Sequence, residues 1–435
     1  MGSPRSMLPV LGLFVALAVP TAAAAPENPR VARLIADLVN KLDSDQRSVR
    51  EKARRDLLKM GPGILPLLPA PAASQRAATR EALRRLHRAL QRNKAVASVA
   101  ASHVSLDGTF SLSELVGRLS KATGNRLKLD RVSAELARRK IECNARLSFW
   151  DAVSFLAGVF DLVIDSDEAG EGLVLRPRTG AGGESTTVNR GAFRITARVR
   201  PPKPIPGDDA HLLLPVRLQI AAEPRLRPLY LICRPADFKV TAGSGANIVP
   251  RSPEATLELP LGAGGAPLDL RLDFEYPSGT SLKQIMLSGT LAVVVAAGSE
   301  RFVFARLDRL NKAGKRHGGL AVSLMHSRFK RTPNGLHDAE VGIRIAYDSG
   351  GPAFESHRTW LLHNRATFEA DREPTVRYHR LGTKRLDDGT AEVVYEFKAL
   401  KRPPTDWRFV YRAPTLVIET PVRVAIPLPV PAPAD

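Results

Sequence analysis

The sequence predicts a multidomain chain that joins an α part, an α/β part and an all-β part: a helical cap, a duplicated βαβ domain with a closing hairpin, and two β-sandwich domains. Three observations predict it. Apolar residues recur at helical spacing between residues 30 and 94, residues 104–129 recur at 141–166 with a constant offset of 37, and strict apolar/polar alternation dominates from residue 192 onward.

The helical part comes first. Val31, Leu34, Ile35 and Leu38 form one apolar stripe, and Val49, Ala53, Leu57 and Met60 form a second, opened near Ser44-Asp45 and closed by Gly61-Pro62. A short turn over Ile64–Leu68 follows, then a third helix from about Ser74 to Asn93 with Leu83, Leu86 and Leu90 facing inward. Ser48–Gly61 followed by Ile64–Leu68 resembles one HEAT-type repeat. A stacked solenoid needs about three repeats to bury its core, and only one and a fraction is legible, so residues 25–95 are expected to form a small cap.

The duplicated unit is the most informative stretch. Ser111-Leu112-Ser113-Glu114-Leu115-Val116 aligns with Ser148-Phe149-Trp150-Asp151-Ala152-Val153, and Leu119 falls on Leu156. In the first copy Val104 and Leu106 alternate as a strand, and Ser111 with Glu114 makes a capping box. Leu112, Leu115, Val116 and Leu119 form the buried stripe, Gly124 ends the helix, and Arg126–Leu129 returns as a strand. The second copy repeats this with Ile141 and Cys143, the cap of Ser148 and Asp151, the stripe Phe149, Ala152, Val153 and Leu156, and the strand Leu162–Ile164. A last strand, Gly172–Leu175, closes a hairpin across the turn at 165–172.

This pattern, over Val104–Pro177, resembles the short N-terminal domain shared by secretins and TonB-dependent receptors. The resemblance implies a periplasmic protein-docking module without catalytic residues, assigned to residues 100–178. No membrane barrel or secretin pore is legible after it, so the docking role is carried by analogy.

Residues 179–191, rich in Gly, Ser and Thr, read as a flexible linker. Beyond it Phe193–Val199, Val216–Ile220, Leu268–Tyr276 and Phe302–Phe304 alternate strictly, and a second set runs through Val341–Tyr347, Val393–Phe397, Trp407–Tyr411 and Val422–Ile426. The spacing of these strands predicts two β-sandwiches, over 192–312 and 315–428, and a Pro-rich tail over 429–435 that is extended or disordered.

Residues 1–24 read as a secretory signal peptide: Arg5 starts it, Leu8–Val19 is apolar, and Ala22-Ala23-Ala24 offers a cleavage site. The apolar run is too short to span a bilayer, no cysteine follows the cleavage site for a lipid anchor, and no later stretch reads as a transmembrane segment. The expected location is periplasmic or extracellular. Of the two cysteines, Cys143 and Cys233, an oxidising compartment permits a bridge, but the favoured expectation is two buried small apolar residues.

The net charge of +20 is unevenly spread. Residues 45–94 carry 13 Lys+Arg against 4 Asp+Glu, whereas residues 95–180 carry 11 of each. Arg76, Arg80, Arg84, Arg88 and Arg92 stand four apart and on a helix make one continuous row, the candidate anion-binding residues of the chain. The competing expectation is a solvated arginine-rich face. No aromatic side chain accompanies the row to stack bases, so anionic lipid headgroups, cell-wall polymer or an acidic protein fit it better than nucleic acid.

Catalytic signatures are missing from the sequence. Six of the nine histidines, His317, His326, His337, His357, His363 and His379, fall in the last domain, but none has metal-ligand spacing and no cysteine lies near. Gly243-Ser244-Gly245 and Gly279-Thr280-Ser281 read as turns rather than nucleophile elbows, and Gly262–Gly265 lacks the lysine and helix of a phosphate loop. Trp360, Trp407 and Tyr411 could form a glycan surface or, more in keeping with a sandwich, lie in its core. The sequence therefore predicts an exported, non-enzymatic binding or scaffold protein of the cell envelope, without cofactor or metal, docking an envelope protein through the duplicated domain. Two alternatives stay open. One is a carbohydrate-active or other hydrolytic enzyme with a site in the β-domains, since paired carboxylates need no local motif. The other is binding of a polyanion or anionic surface by the basic helices.

Overall fold

The computed structural model describes residues 29–71, 76–168, 170–180, 184–243, 245–307, 309, 313–317, 320–347, 364–387 and 390–432. The expected signal peptide lies outside the described residues, as do His357, Trp360 and His363. Mixed helical and β structure is dominated by antiparallel sheet, and the chain divides into two compact units between Lys94 and Ala95.

The first unit holds α1 (Pro29–Lys41), α2 (Arg47–Lys59), a 3-10 turn at Pro62–Leu67 and most of α3 (Ala77–Val99). Its core is Ile35, Leu38, Leu42, Ala53, Leu57, Ile64, Leu68, Leu83, Leu86 and Leu90. Leu34, expected inside, is 49% exposed; the stripe of α1 runs on to Leu42 instead. Gly61 adopts φ 78, a left-handed conformation that releases the chain from α2 into Pro62. Helix α3 outruns the expected end at Asn93 because Ala95-Val-Ala-Ser-Val99 contains no breaker.

The second unit opens with β1 (His103–Ser111), α4 (Leu112–Thr123), β2 (Leu127–Leu129), α5 (Ala134–Arg138), β3 (Lys140–Ser148), α6 (Phe149–Val159), β4 (Leu162–Ser166) and β5 (Leu173–Pro177). Both helix starts follow from their caps: Ser111 Oγ accepts from Glu114 N while Ser111 N donates to Glu114 Oε2 at 2.7 Å, and Ser148 Oγ accepts from Asp151 N at 3.2 Å. Helix α4 ends on Gly124 at φ 70. The stripes of the two helices, with Val104, Leu106, Cys143, Leu162 and Leu175, make one core. The internal echo becomes a pairing rule. Strand β1 lies antiparallel to β3 with Asp107 opposite Asn144, a position paired with its own copy 37 residues on, so a local two-fold axis passes through the ribbon. Strand β5 runs antiparallel to β4, as the hairpin requires, and parallel to β2. That parallel contact needs Gly172, where a Cβ would fall 2.8 Å from the Arg126 carbonyl oxygen.

The next strands are β6 (Thr186–Arg190), β7 (Phe193–Val199), β8 (Lys203–Ile205), β9 (Asp208–Ala222), β10 (Pro228–Cys233), β11 (Lys239–Ala242), β12 (Val249–Pro250), β13 (Leu257–Pro260), β14 (Leu268–Pro277) and β15 (Gln284–Phe304). After them come β16 (Gly314–His317), β17 (Leu320–Arg331), β18 (His337–Tyr347), β19 (Arg365–Glu369), β20 (Val376–Arg377), β21 (Arg380–Asp387), β22 (Thr390–Leu400) and β23 (Arg408–Pro429). Strand β6 corrects the expected linker: Thr186-Thr-Val-Asn-Arg190 pairs with β7 across a tight turn at Gly191. The Pro-rich tail begins later than its composition implies, since Pro427, Leu428 and Pro429 pair with Met286, Ile285 and Gln284.

Three sheets share two cores. A six-stranded sheet (β12-β14-β9-β7-β6, with β8 on β9) and one part of a seven-stranded sheet enclose a core running from Phe193 through Leu272 and Val293 to Ile426. The other part of the seven-stranded sheet and a five-stranded sheet (β16-β17-β18-β22-β21) enclose a second, aromatic core with Phe304, Phe368, Phe397, Trp407 and Phe409. The cores therefore do not follow the expected division at 312/315. Strands β15 and β23 pair along almost their whole length, from Gln284–Pro429 to Phe304–Phe409, and serve both. Their register slips between Ala296 and Ser299, where the ladder passes from one core to the other, as a bulge that bends a strand pair would place it.

The βαβ part sits on one end of the outer face of the six-stranded sheet. Trp150 Nε1 donates to Ala192 O at 3.1 Å, Arg194 reaches Ser154 Oγ at 2.6 Å, and Ala221 is buried among the βαβ core residues. A buried polar hub fixes the same junction. Glu223, fully buried, accepts from Ser102 N and Oγ, Asn125 Nδ2 and Arg225 Nε. A second tie is Glu171, between Arg126 and Arg377; burial opposes its ionisation, but the two guanidiniums prevail and hold its carboxyl below the usual range. Cys143 and Cys233 are free thiols in separate cores, and burial, aided by Asp237, pushes Cys233 up to about 12.

Candidate functional site

The β1–β3 ribbon presents two unpaired rims. Leu112 N donates to Arg139 O and Phe149 N donates to Ser102 O, continuing the ladder at both ends. An antiparallel pair alternates bonded and non-bonded positions, so the inward-bonding residues of β1 are Val104, Leu106, Gly108 and Phe110. His103, Ser105, Asp107 and Thr109 then turn their backbone N–H and C=O outward on one rim, and Lys140, Glu142, Asn144 and Arg146 do so on the other. All eight residues are exposed, and among the described residues no third strand pairs with either rim. Natural edges are usually blunted by proline, a bulge, brevity or charged side chains, of which these rims carry only the last, in Asp107, Lys140, Glu142 and Arg146. This ribbon keeps nine register pairs without a bulge and carries no proline.

The first unit gathers the arginine row as its spacing requires. Arg76 lies just before α3, its carbonyl accepting from Arg80 N at 3.0 Å, and Arg80, Arg84, Arg88 and Arg92 follow along the helix. Arg76 is drawn off by Asp43 at 3.7 Å and Asp45 at 3.3 Å. Arg84 stands 3.8 Å from Glu81, whose carboxyl is held low chiefly by its hydrogen bond from Arg85. Arg88 and Arg92 are exposed and form no ion pair among the described residues, although Arg88 adds to the field that holds Glu81 low. The unneutralised charge thus belongs to the C-terminal half of the row.

The other sequence candidates are dispersed or buried. Trp407 and Tyr411 lie in the aromatic core, with Trp407 Nε1 donating to Arg402 O and Asn364 Nδ2 donating to Tyr411 Oη, so neither contributes to a glycan surface. His326 Nε2 lies 3.0 Å from Glu340 Oε1 and His379 is exposed; among the described residues no three His, Cys, Asp or Glu side chains are grouped to hold a metal. A concavity of about 1000 Å³ forms the step between the βαβ part and the six-stranded sheet. Its lining includes Asp165, Arg176, Arg178, Glu184 and Arg194 but no histidine. Arg176 is paired with Asp130 and Asp165, and Arg178 with Asp161. Sequence reading missed this step and the Glu223 hub, because both are made by residues brought together from different elements, 98 and 121 positions apart in the hub. No described helix is long and apolar enough to cross a membrane.

A scan of the chain against models of known protein families finds no match, and a search of curated proteins returns no relative.

Proposed function

We propose that the chain is an exported, non-enzymatic binding or scaffold protein of the cell envelope, and that it docks a protein partner by strand addition to the β1–β3 ribbon. In this reading its parts are a helical cap, a duplicated βαβ domain of the secretin and TonB-receptor type, and two β-sandwiches joined by shared strands. The observation that carries it is the pair of long rims free of proline and bulge, which offer a partner strand a ready row of donors and acceptors. The electrical neutrality of residues 95–180 agrees with recognition by backbone and shape rather than by long-range charge.

Proline at an outward position tests this cleanly. The Ser105 and Glu142 N–H groups serve no bond within the ribbon, so Ser105→Pro and Glu142→Pro should leave the fold intact while removing one donor from each rim. A photocrosslinker placed at Asp107 in the full chain should form a protein adduct in envelope fractions that the Ser105→Pro/Glu142→Pro chain loses. An adduct of equal yield in the folded double variant would exclude docking at these rims.

The exposed guanidiniums of Arg88 and Arg92, which form no ion pair among the described residues, favour a second reading, contact with an anionic surface through α3. Retention on heparin should drop when Arg84, Arg88 and Arg92 are changed to Gln. Unchanged retention would make the row a solvated face.

A further inference from the structure

The open end of the six-stranded sheet's outer face carries a feature that neither reading uses. Arg198 on β7 stands directly opposite Arg217 on β9, and Arg217 directly opposite Arg271 on β14. Like charges set opposite one another across a sheet destabilise it. Arg271 is relieved by Asp273, whose Oδ1 lies 2.8 Å from its Nε. Arg198 and Arg217 have no such relief: neither side chain meets a carboxylate among the described residues, nor does Arg200 beside them. Arg200 N donates to Pro215 O, which makes Arg198 and Arg217 a bonded pair with Cα atoms about 5.5 Å apart, so their guanidiniums rise side by side from one face.

The three arginines line a small depression with Ser185, Thr196, Gln219 and Asp269. The one acid there, Asp269, accepts from Gln219 Nε2 at 3.1 Å and leaves the guanidiniums in excess. The Ser185 hydroxyl adds a neutral donor, while Thr196 Oγ1 is shared with Thr187 Oγ1 at 2.9 Å. The depression is small, about 80 Å³, and open to solvent, which suits a single oxyanion group seated on the sheet surface. Guanidinium forks match oxyanions in pairs of parallel hydrogen bonds, and three of them converging suit a group with three free oxygens better than a carboxylate with two.

We propose that Arg198, Arg217 and Arg200 form an oxyanion site for one phosphate or sulfate group, free or as an ester on a polymer. The bound anion supplies the counter-charge that the Arg198–Arg217 opposition lacks. The test uses the full chain and two probes, inorganic pyrophosphate and a heparin hexasaccharide, titrated into wild type, Arg198→Gln/Arg217→Gln, and Arg84→Gln/Arg88→Gln/Arg92→Gln as the control for α3. The sheet variant is expected to lose at least tenfold in affinity for a probe that wild type binds, to lower the slope of log affinity against log salt by about 1–2, and to melt no lower than wild type because a repulsion is gone. The α3 variant should keep that component. Loss for both probes identifies a free-anion site, and loss for the hexasaccharide alone identifies a polymer-borne ester. Binding of neither probe by wild type, or affinity unchanged in the sheet variant, overturns the assignment.

Discussion

Replacing Glu223 with alanine is expected to remove about 3–5 kcal/mol of stability from the second unit, the range for breaking a buried, hydrogen-bonded ion pair from one side. The carboxylate is fully buried and takes four donors: Ser102 N at 2.9 Å, Ser102 Oγ at 2.6 Å, Asn125 Nδ2 at 3.1 Å and Arg225 Nε at 2.6 Å. Arg225 in turn donates to the carbonyls of Ser98 and Ala100, and its own N–H donates to Asn125 Oδ1. Alanine would strand a mostly buried guanidinium and an Asn125 that is 1% exposed. Three separate segments meet here: the chain before β1, the turn after α4, and the turn between β9 and β10. Arg225→Ala should cost a similar amount by stranding the acid instead, and the double variant should cost clearly less than the two together because neither charge is left alone. Urea unfolding of the three variants measures this. A Glu223→Ala loss under about 1 kcal/mol, or strict additivity, would show that the hub is not a coupled unit.

The parts of this architecture that were legible in the sequence are those set by neighbours along the chain. The capping pairs at Ser111 and Ser148, the stripes of α4 and α6, and the hairpin of β4 with β5 each depend on residues within about a dozen positions, and each is found where the spacing puts it. The echo went further than periodicity could, because it marked which strands are equivalent, although not that β1 would lie against its own copy. Short apolar stripes misled where burial is settled by the third element: Leu34 fits the helical period as well as Leu42, but only the packing of α2 and α3 selects the face. Composition misled at β6, where Gly and Ser just upstream masked a β-branched run that pairs with β7.

Register was the larger blind spot. That Arg198 faces Arg217, or that Ser105 turns its N–H outward, depends on a one-residue choice of pairing that no local signal fixes. The Arg76–Arg92 row, by contrast, was readable because a helix determines its own geometry. For the same reason the row was the natural candidate for an anion, and the sheet site, with its guanidiniums brought together from different strands, was invisible before the fold.

The shared strands carry the second large expectation. Phe368 is fully buried at the centre of the aromatic core, with ring centroids 4.5 Å from Phe397, 5.9 Å from Phe409 and 6.1 Å from Trp407. Phe368→Ala should cost about 3–5 kcal/mol through lost burial and the cavity left among rings that cannot collapse into it. The consequence should not stay in that core. Phe409 lies on β23, the same strand that places Val422, Val424, Ile426 and Leu428 in the other core, and β15 likewise runs from Ile285 and Val293 in one to Phe302 and Phe304 in the other. Two cores threaded by one continuous strand pair are expected to fray together when one end of the ladder is lost. Calorimetry of the variant should therefore show the β-region unfolding in one transition at a lower temperature than in wild type. A second transition left at the wild-type temperature would mean that the bulge at Ala296–Ser299 uncouples the two halves, and the domains would then be independent in energy although continuous in chain.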